Sequence, residues 1–347
     1  MAGTRRVAAK DGAGRVTVIE QPMPQPGPGE LLMEVRASMV SPGTELGFMR
    51  RLREKPGDGP PRPFGYSNAG VVVKQGEGCE DIPLGTPLAC MGGGYAEHAT
   101  HSVVPRNLGV PIPDGVSFDH AASIHLAATG LNAIRRAAPE IAEYATVIGL
   151  GIVGQFTSQW ARLSGCHAMA LDRLPLRLEC AASAGLERGV NIAEEDPLEA
   201  SAEFTRGRGM DFGVLAFGGD GNEAFAGMVK MLKRSPDTHQ MGRIVVVGGA
   251  QFQHSFAAGL GNADVRSASR TGPGYHDHEW ERGKDYPPVF VAWPTNRNME
   301  ECLRFMLSGG LCVEPLITHR AALNDAPGVC DILIEEPGKA LGVVLNP

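Results

Sequence analysis

A pair of cysteines spaced two apart, an apolar run long enough for a bilayer and a dominant basic patch are all missing from this sequence. Each absence removes a class of function. The seven cysteines, at 79, 90, 166, 180, 302, 312 and 330, are odd in number and form no CxxC pair. That excludes a cysteine finger or dithiol redox motif and predicts free, mostly buried thiols in a reducing compartment. No segment approaches the roughly 20 apolar residues that span a membrane. The opening MAGTRRVAAKDGAGRV has two arginines but no apolar stretch behind them, unlike a secretory signal. A cytoplasmic protein without membrane contact is therefore expected. With a net charge of −7 and one short basic run (Arg50, Arg51, Arg53, Lys55), the chain does not read as a nucleic-acid binder. The run reads as solvated surface.

Glycine and proline are present in quantity, 46 and 26 residues, scattered rather than clustered, which implies many tight turns. The 347 residues suit about two domains, and an apolar fraction of 43% is enough to build full cores. Up to about residue 118 the chain reads as β-rich. Arg15 to Glu20, Glu30 to Ser38 and Gly70 to Gln75 are short strand-like runs, divided by clusters such as PMPQPGPGE and PGDGPPRP. Asp119 to Ala137 reads as one helix. Strands are then expected at Ala145 to Ile148, Cys166 to Asp172, Asp211 to Phe217 and Arg243 to Gly248. Helices alternate with them at Ile152 to Leu163, Arg177 to Ala184 and Asn222 to Leu232. Apolar strands alternating with helices indicate a parallel sheet covered on both faces. Beyond Gly272 the alternation stops; a helix at Asn298 to Leu307 and a final β-rich piece are expected to complete the first domain. The expected division is 1–118 with 273–347, and 119–272.

The strongest motif is Gly149-Leu150-Gly151-Ile152-Val153-Gly154. It follows an apolar strand and opens an apolar helix, and the next strand ends in Asp172, which is the Rossmann layout. Gly149 permits the tight turn, Gly151 lets a pyrophosphate approach the backbone, and Gly154 lets the helix pack on the sheet. The first N–H groups of the helix, from Ile152 and Val153, offer the positive end of its dipole to phosphate. Asp172 is suited to the adenosine ribose hydroxyls and repels a 2′-phosphate, which favours NAD over NADP. Arg173 works the other way, since it can stack on adenine or contact a 2′-phosphate.

The order of a β-rich domain, a Rossmann domain and a β-rich return resembles the medium-chain dehydrogenase/reductase superfamily, the zinc-type alcohol dehydrogenase-like proteins. The likeness covers nearly the whole chain. It is carried by PGPGELLMEVRAS, SPGTE (41 to 45), GYSNAGVVV (65 to 73), GGGYAEHA (92 to 99), AATGLNA (127 to 133) and the glycine motif. With GPGYHD, DYP and RNMEECL, it points to a zinc-lacking, sugar- and polysaccharide-associated branch. The resemblance implies an α/β fold: a doubly wound parallel sheet plus a GroES-like β-rich catalytic domain. It also implies Thr129 as a cofactor contact and pairing into homodimers or homotetramers.

The zinc enzymes of that superfamily have Cys-Gly-(Ser/Thr)-Asp where this chain has Pro42-Gly43-Thr44-Glu45, and Gly-His-Glu where it has Gly65-Tyr66-Ser67. The third ligand position falls on His125, and the lobe of closely spaced cysteines is missing. One potential ligand of three does not hold zinc, so a metal-free site is expected. Hydrogen-bond donors and a proton acceptor must then replace the metal. The candidates are Thr44, Glu45, Tyr66 and His125. His125 suits acid–base work because imidazole titrates near neutrality; the alternative is a helix-start histidine packed between domains. Tyr66 is either a donor to the substrate oxygen or a packing residue. Thr44 matches the family's relay hydroxyl or stabilises its turn, and Glu45 acts there or merely caps or pairs with an arginine. Tyr275-His276-Asp277-His278 reads as a loop beside the site rather than a metal cluster. His98 and His101 read as surface or site-wall residues.

The expected reaction is NAD-linked oxidation of a secondary alcohol, or the reverse. Its substrate, a sugar or cyclic polyol, is implied by the resemblance alone. The rivals are a zinc-free, NADPH-dependent enone or quinone reductase and a dinucleotide-binding protein without turnover.

Overall fold

The computed structural model describes residues 3–347. In chain order it begins with β1 (Thr4–Lys10), β2 (Val16–Pro22), β3 (Glu30–Val40), α1 (Gly47–Glu54) and β4 (Arg62–Pro63). There follow β5 (Ser67–Gln75), β6 (Pro87–Met91), β7 (His101–Pro105), β8 (Gly109–Pro111), α2 (Phe118–Ala121) and α3 (Ile124–Ala137). The alternating part comprises β9 (Tyr144–Ile148), α4 (Ile152–Leu163), β10 (His167–Asp172), α5 (Pro175–Ser183), β11 (Arg188–Asn191), α6 (Pro197–Phe204) and β12 (Phe212–Leu215). It continues through β13 (Gly219–Asp220), α7 (Asn222–Met231), β14 (Arg243–Val247), β15 (Ala250–Gln251) and β16 (Asp264–Ala268). The chain closes with α8 (His278–Glu281), α9 (Thr295–Leu307), β17 (Ile317–Ala322), α10 (Ala326–Glu335) and β18 (Gly342–Asn346).

Two compact units form, 1–128 with 271–347, and 129–270. In the first, β17-β18-β3-β5-β6-β8 make the spine of a seven-stranded sheet, with β7 paired to β3, and β2-β1-β4 make a three-stranded one. All pairs except β17 with β18 are antiparallel. The return of the chain is thus literal: Val344 pairs with Met39. Helix α10 was not foreseen, since the last segment reads as β-rich. It buries Ala326, Cys330, Leu333 and Ile334 against Leu46, Met49, Phe64 and Val343, and each large apolar side chain so buried is worth about 1.5–3 kcal/mol. Strand β1 was not foreseen either, and its Val7, Ala8 and Ala9 are fully buried.

The second unit is a six-stranded parallel sheet in the order β11-β10-β9-β12-β14-β16. Apolar β-branched and aromatic side chains at its strands suit a sheet buried on both faces. The core gathers Met169, Leu171, Val190, Phe225, Met228 and Ile244. β14 lies inside this sheet, whose edges are β11 and β16; the β16 signature (DVRSA) is too weak to mark a strand.

The single helix expected over 119–137 is two, broken at Ala122 and Ser123. Six of the seven cysteines are buried, and none is bonded to another. Among the described residues no helix is long and apolar enough to cross a membrane.

Candidate active site

In the first unit, Ser41 leaves β3 and Pro42–Leu46 wind into a five-residue π-helical turn that feeds α1. Proline is tolerated at its start, where no N–H is needed. The Glu45 N–H donates to the Ser41 carbonyl at 3.1 Å, and the Ser41 N–H donates back to Glu45 Oε2 at 2.8 Å. The carboxylate is therefore folded onto its own turn and is only 5% exposed. Among the described residues it pairs with no arginine. Its second partner is His98, whose Nε2 lies 3.3 Å from the same oxygen and whose Nδ1 lies 2.9 Å from Ser38 Oγ. His98 is fully buried, not a surface or wall residue. His101, on β7, is partly buried, and burial lowers its pKa.

Tyr66 precedes β5. The hydroxyls of Ser41 and the exposed Thr44 pull its pKa down, a smaller effect than burial. Burial, and then the Glu45 carboxylate, push its pKa well above the ordinary tyrosine value, so the hydroxyl remains a donor. The Tyr66 carbonyl accepts the Gly92 N–H at 2.9 Å and His125 Nδ1 at 3.2 Å. A carbonyl only accepts, so the proton of neutral His125 sits on Nδ1 and the lone pair on Nε2. The two rings stand 4.4 Å apart. Burial drives the His125 pKa down to about 4, against the smaller upward pulls of the Tyr66 carbonyl and Glu45. The near-neutral titration expected of His125 is thereby corrected. At pH 7 it is an uncharged hydrogen-bond acceptor.

The parts played by two further residues escaped the sequence reading, which placed Tyr275 only in a loop beside the site. The Ser67 hydroxyl donates to the Ala122 carbonyl at 2.6 Å and accepts the His125 N–H at 3.2 Å. It thus fixes the break between α2 and α3 and sets the imidazole's height. Tyr275 presents its ring edge to His125, 6.0 Å between centroids, and its hydroxyl accepts the Gly93 N–H at 2.7 Å. The rest of that loop is locally committed. Asp277 caps α8 and takes the Tyr286 hydroxyl at 2.7 Å, while His278 faces Glu281 at 3.3 Å. Among the described residues no group of three or more His, Cys, Asp or Glu side chains is placed to hold a metal. The donor set at the family's ligand positions does not fit zinc. Proline offers nothing, the phenol keeps its proton, and one imidazole remains.

In the second unit, Gly149 ends β9 at φ +95°, and a Cβ on Gly154 would stand 1.8 Å from the Gly149 oxygen. A Cβ on Gly151 would meet nothing within 4 Å. The first hydrogen bond of α4 runs from the Gln155 N–H to the Gly151 carbonyl at 2.9 Å, and no side chain caps the helix. The N–H groups of Ile152 and Val153 accordingly open onto that space. Asp172, 6% exposed, accepts Leu150 N–H at 2.7 Å and Arg177 Nη1 at 3.2 Å on one oxygen, and Leu174 N–H at 3.0 Å on the other. Arg173 is exposed, and Thr129 sits partly buried on α3. A cradle with open space over its middle glycine and a carboxylate beside it fits a dinucleotide.

No family model matches the chain. A zinc-type alcohol dehydrogenase-like protein of Haemophilus influenzae is 27% identical over 227 residues, 56% of this chain and 64% of that one. The L-threonine 3-dehydrogenase of Thermococcus kodakarensis is 24% identical over 339 residues, 87% of each. A structure from Sinorhizobium meliloti, described as a zinc-binding dehydrogenase bound to NADP, superposes with a TM-score of 0.78 at 18% identity, covering 99% of this chain and 100% of the other. All three are dehydrogenases or dehydrogenase-like in name, and this chain is similar to the first two in sequence and to the third in fold. The likeness over both units shows the fold: a Rossmann-type parallel sheet and a separate GroES-like, β-rich sheet.

Proposed function

We propose that the protein oxidises a secondary alcohol with NAD, or reduces the matching ketone, without a catalytic metal. The carrying observation is the Tyr66–His125 pair: a protonated phenol and a neutral imidazole stand side by side at positions where the zinc enzymes have ligands. A bound nicotinamide supplies the hydride acceptor or donor. Tyr66 donates a hydrogen bond to the substrate oxygen, in the manner of an oxyanion donor. His125 Nε2 takes the hydroxyl proton as the carbonyl forms and returns it in reduction. Thr44 and Ser41 orient the phenol. Gly149, Gly151, Gly154, Ile152 and Val153 hold the pyrophosphate, with Thr129 a further contact. Asp172 receives the adenosine ribose and supports NAD over NADP, while Arg173 stands nearby in sequence as the residue able to soften that choice.

The substrate we assign is a sugar or cyclic polyol, in line with the branch its motifs resemble. The same reading has copies of the chain pairing into a dimer or tetramer.

The test is nicotinamide absorbance with chelator-treated protein. NAD or NADP is offered with sugars and cyclic polyols, and NADH or NADPH with enones and quinones. NAD-linked polyol turnover that survives chelation is expected, and Tyr66→Phe should lower kcat by about 100-fold. Turnover confined to NADPH and enones would sink this reading.

A further inference from the structure

The Glu45–His98 pair is not explained by packing alone. Glu45 Oε2 takes two partners, Ser41 N–H and His98, while Oε1 is buried with no hydrogen-bond partner among the described residues. Burying a polar atom unpaired costs on the order of 1–3 kcal/mol, and a purely structural network tends to satisfy every member. His98 is held in its turn by Ser38, whose hydroxyl reaches the Leu345 carbonyl at 3.5 Å. With Nε2 and Oε2 only 3.3 Å apart, a proton must lie between them, because two lone pairs would repel. The ionisable groups that feel this carboxylate are Lys10 on β1, Tyr66 before β5, His98 before β7, His125 on α3 and Cys330 on α10. Two of them, Tyr66 and His125, are the pair assigned to the chemistry.

We propose that His98 is a positioning residue: it clamps one oxygen of Glu45 and so keeps the carboxylate's charge beside Tyr66 and His125. The inference rests on the dehydrogenase reading above. In alcohol oxidation the hydroxyl proton passes to His125 Nε2 while the hydride leaves for the nicotinamide, so a positive imidazolium forms in a partly buried place. A fixed negative charge nearby lowers the energy of that state more than that of the neutral ring, which is a gain in kcat and not in binding. Without His98, Glu45 either takes up a proton or swings away, and the gain is lost.

Three variants and one spectrum test this. His98→Ala should lower kcat by about tenfold or more with the dinucleotide KM unchanged, and should move the acid limb of kcat further down, since His125 then holds its proton less well. His98→Gln, whose amide N–H stands near the place of Nε2–H, should restore most of the loss. Independently of turnover, the imidazole N–H shared with Glu45 should give a downfield proton resonance that Glu45→Gln abolishes. Should His98→Ala fail to fold, His98→Gln and the resonance still decide. A variant that melts lower but keeps kcat and acid limb, or a parent without that resonance, overturns the proposal. A parent silent with every alcohol and ketone, yet showing the resonance, overturns the dehydrogenase reading and the catalytic role while leaving the pair itself intact.

Discussion

At pH 7 an imidazole with a pKa near 4 carries no charge, and this decides what His125 can do. Its Nδ1 proton is committed to the Tyr66 carbonyl, so Nε2 is the accepting atom. A base at its ordinary value of about 6.5 would lose activity below that pH. Here the acid limb of kcat/KM should lie near 4, with a plateau through pH 6; a limb at 6–7 would show that His125 is not the proton acceptor. Tyr66 and His125 came to notice because the zinc-ligand positions of the family the sequence resembles fall on them. The contacts of Ser67 and His98 were not legible, and Tyr275 entered only as part of a loop beside the site. A serine or histidine in a β-rich stretch has no periodic signature, and its meaning lies in contacts formed across 53 to 60 residues of chain for His98 and 58 for Ser67. Nothing local announces such a partner.

Among the elements, the turn between β9 and α4 is the one whose sequence can be read almost atom by atom. Everything it needs is close in the chain: Leu150 meets Asp172 only 22 residues on. Two glycines there make opposite forecasts. Gly154→Ala puts a Cβ against backbone at 1.8 Å and should lower Tm, with cofactor binding lost as a consequence. Gly151→Ala meets open space and has a negative φ of −61°, so Tm should hold while NADH affinity, read by fluorescence titration, falls about tenfold or more. Equal behaviour of the two variants would remove the pyrophosphate from this cradle. Elements built by distant partners were harder to foresee. The break at Ala122 and Ser123 is set by Ser67 taking the Ala122 carbonyl, and the alanine-rich sequence on either side gives no sign of it. Helix α10 hides within a segment rich in Val, Ile and Leu, residue types that favour either structure.

For the whole molecule, the same histidine links chemistry to folding. Its folded pKa lies below that of the unfolded chain, so unfolding takes up a proton between the two. The stability contributed by keeping it neutral is complete above about pH 6.5 and is lost as the pH falls toward 4. Tm measured across that window should fall less steeply in His125→Gln than in the parent. Parallel slopes would mean that the folded protein does not lower the His125 pKa. The two-module architecture itself was visible in the change from Pro/Gly-divided strands to alternating strands and helices. Chain-wide patterning of that kind survives errors at single elements.

The thiols carry a practical consequence. Burial raises Cys90 and Cys330 to about 12 and Cys166 to about 11, and only Cys312 is partly open to solvent. Thiolate chemistry therefore has one foothold, on a residue with no part in the proposed hydride or proton transfer. A maleimide dye, a spin label or a surface tether can be attached at a single defined point of the native chain, with no cysteine first having to be engineered away.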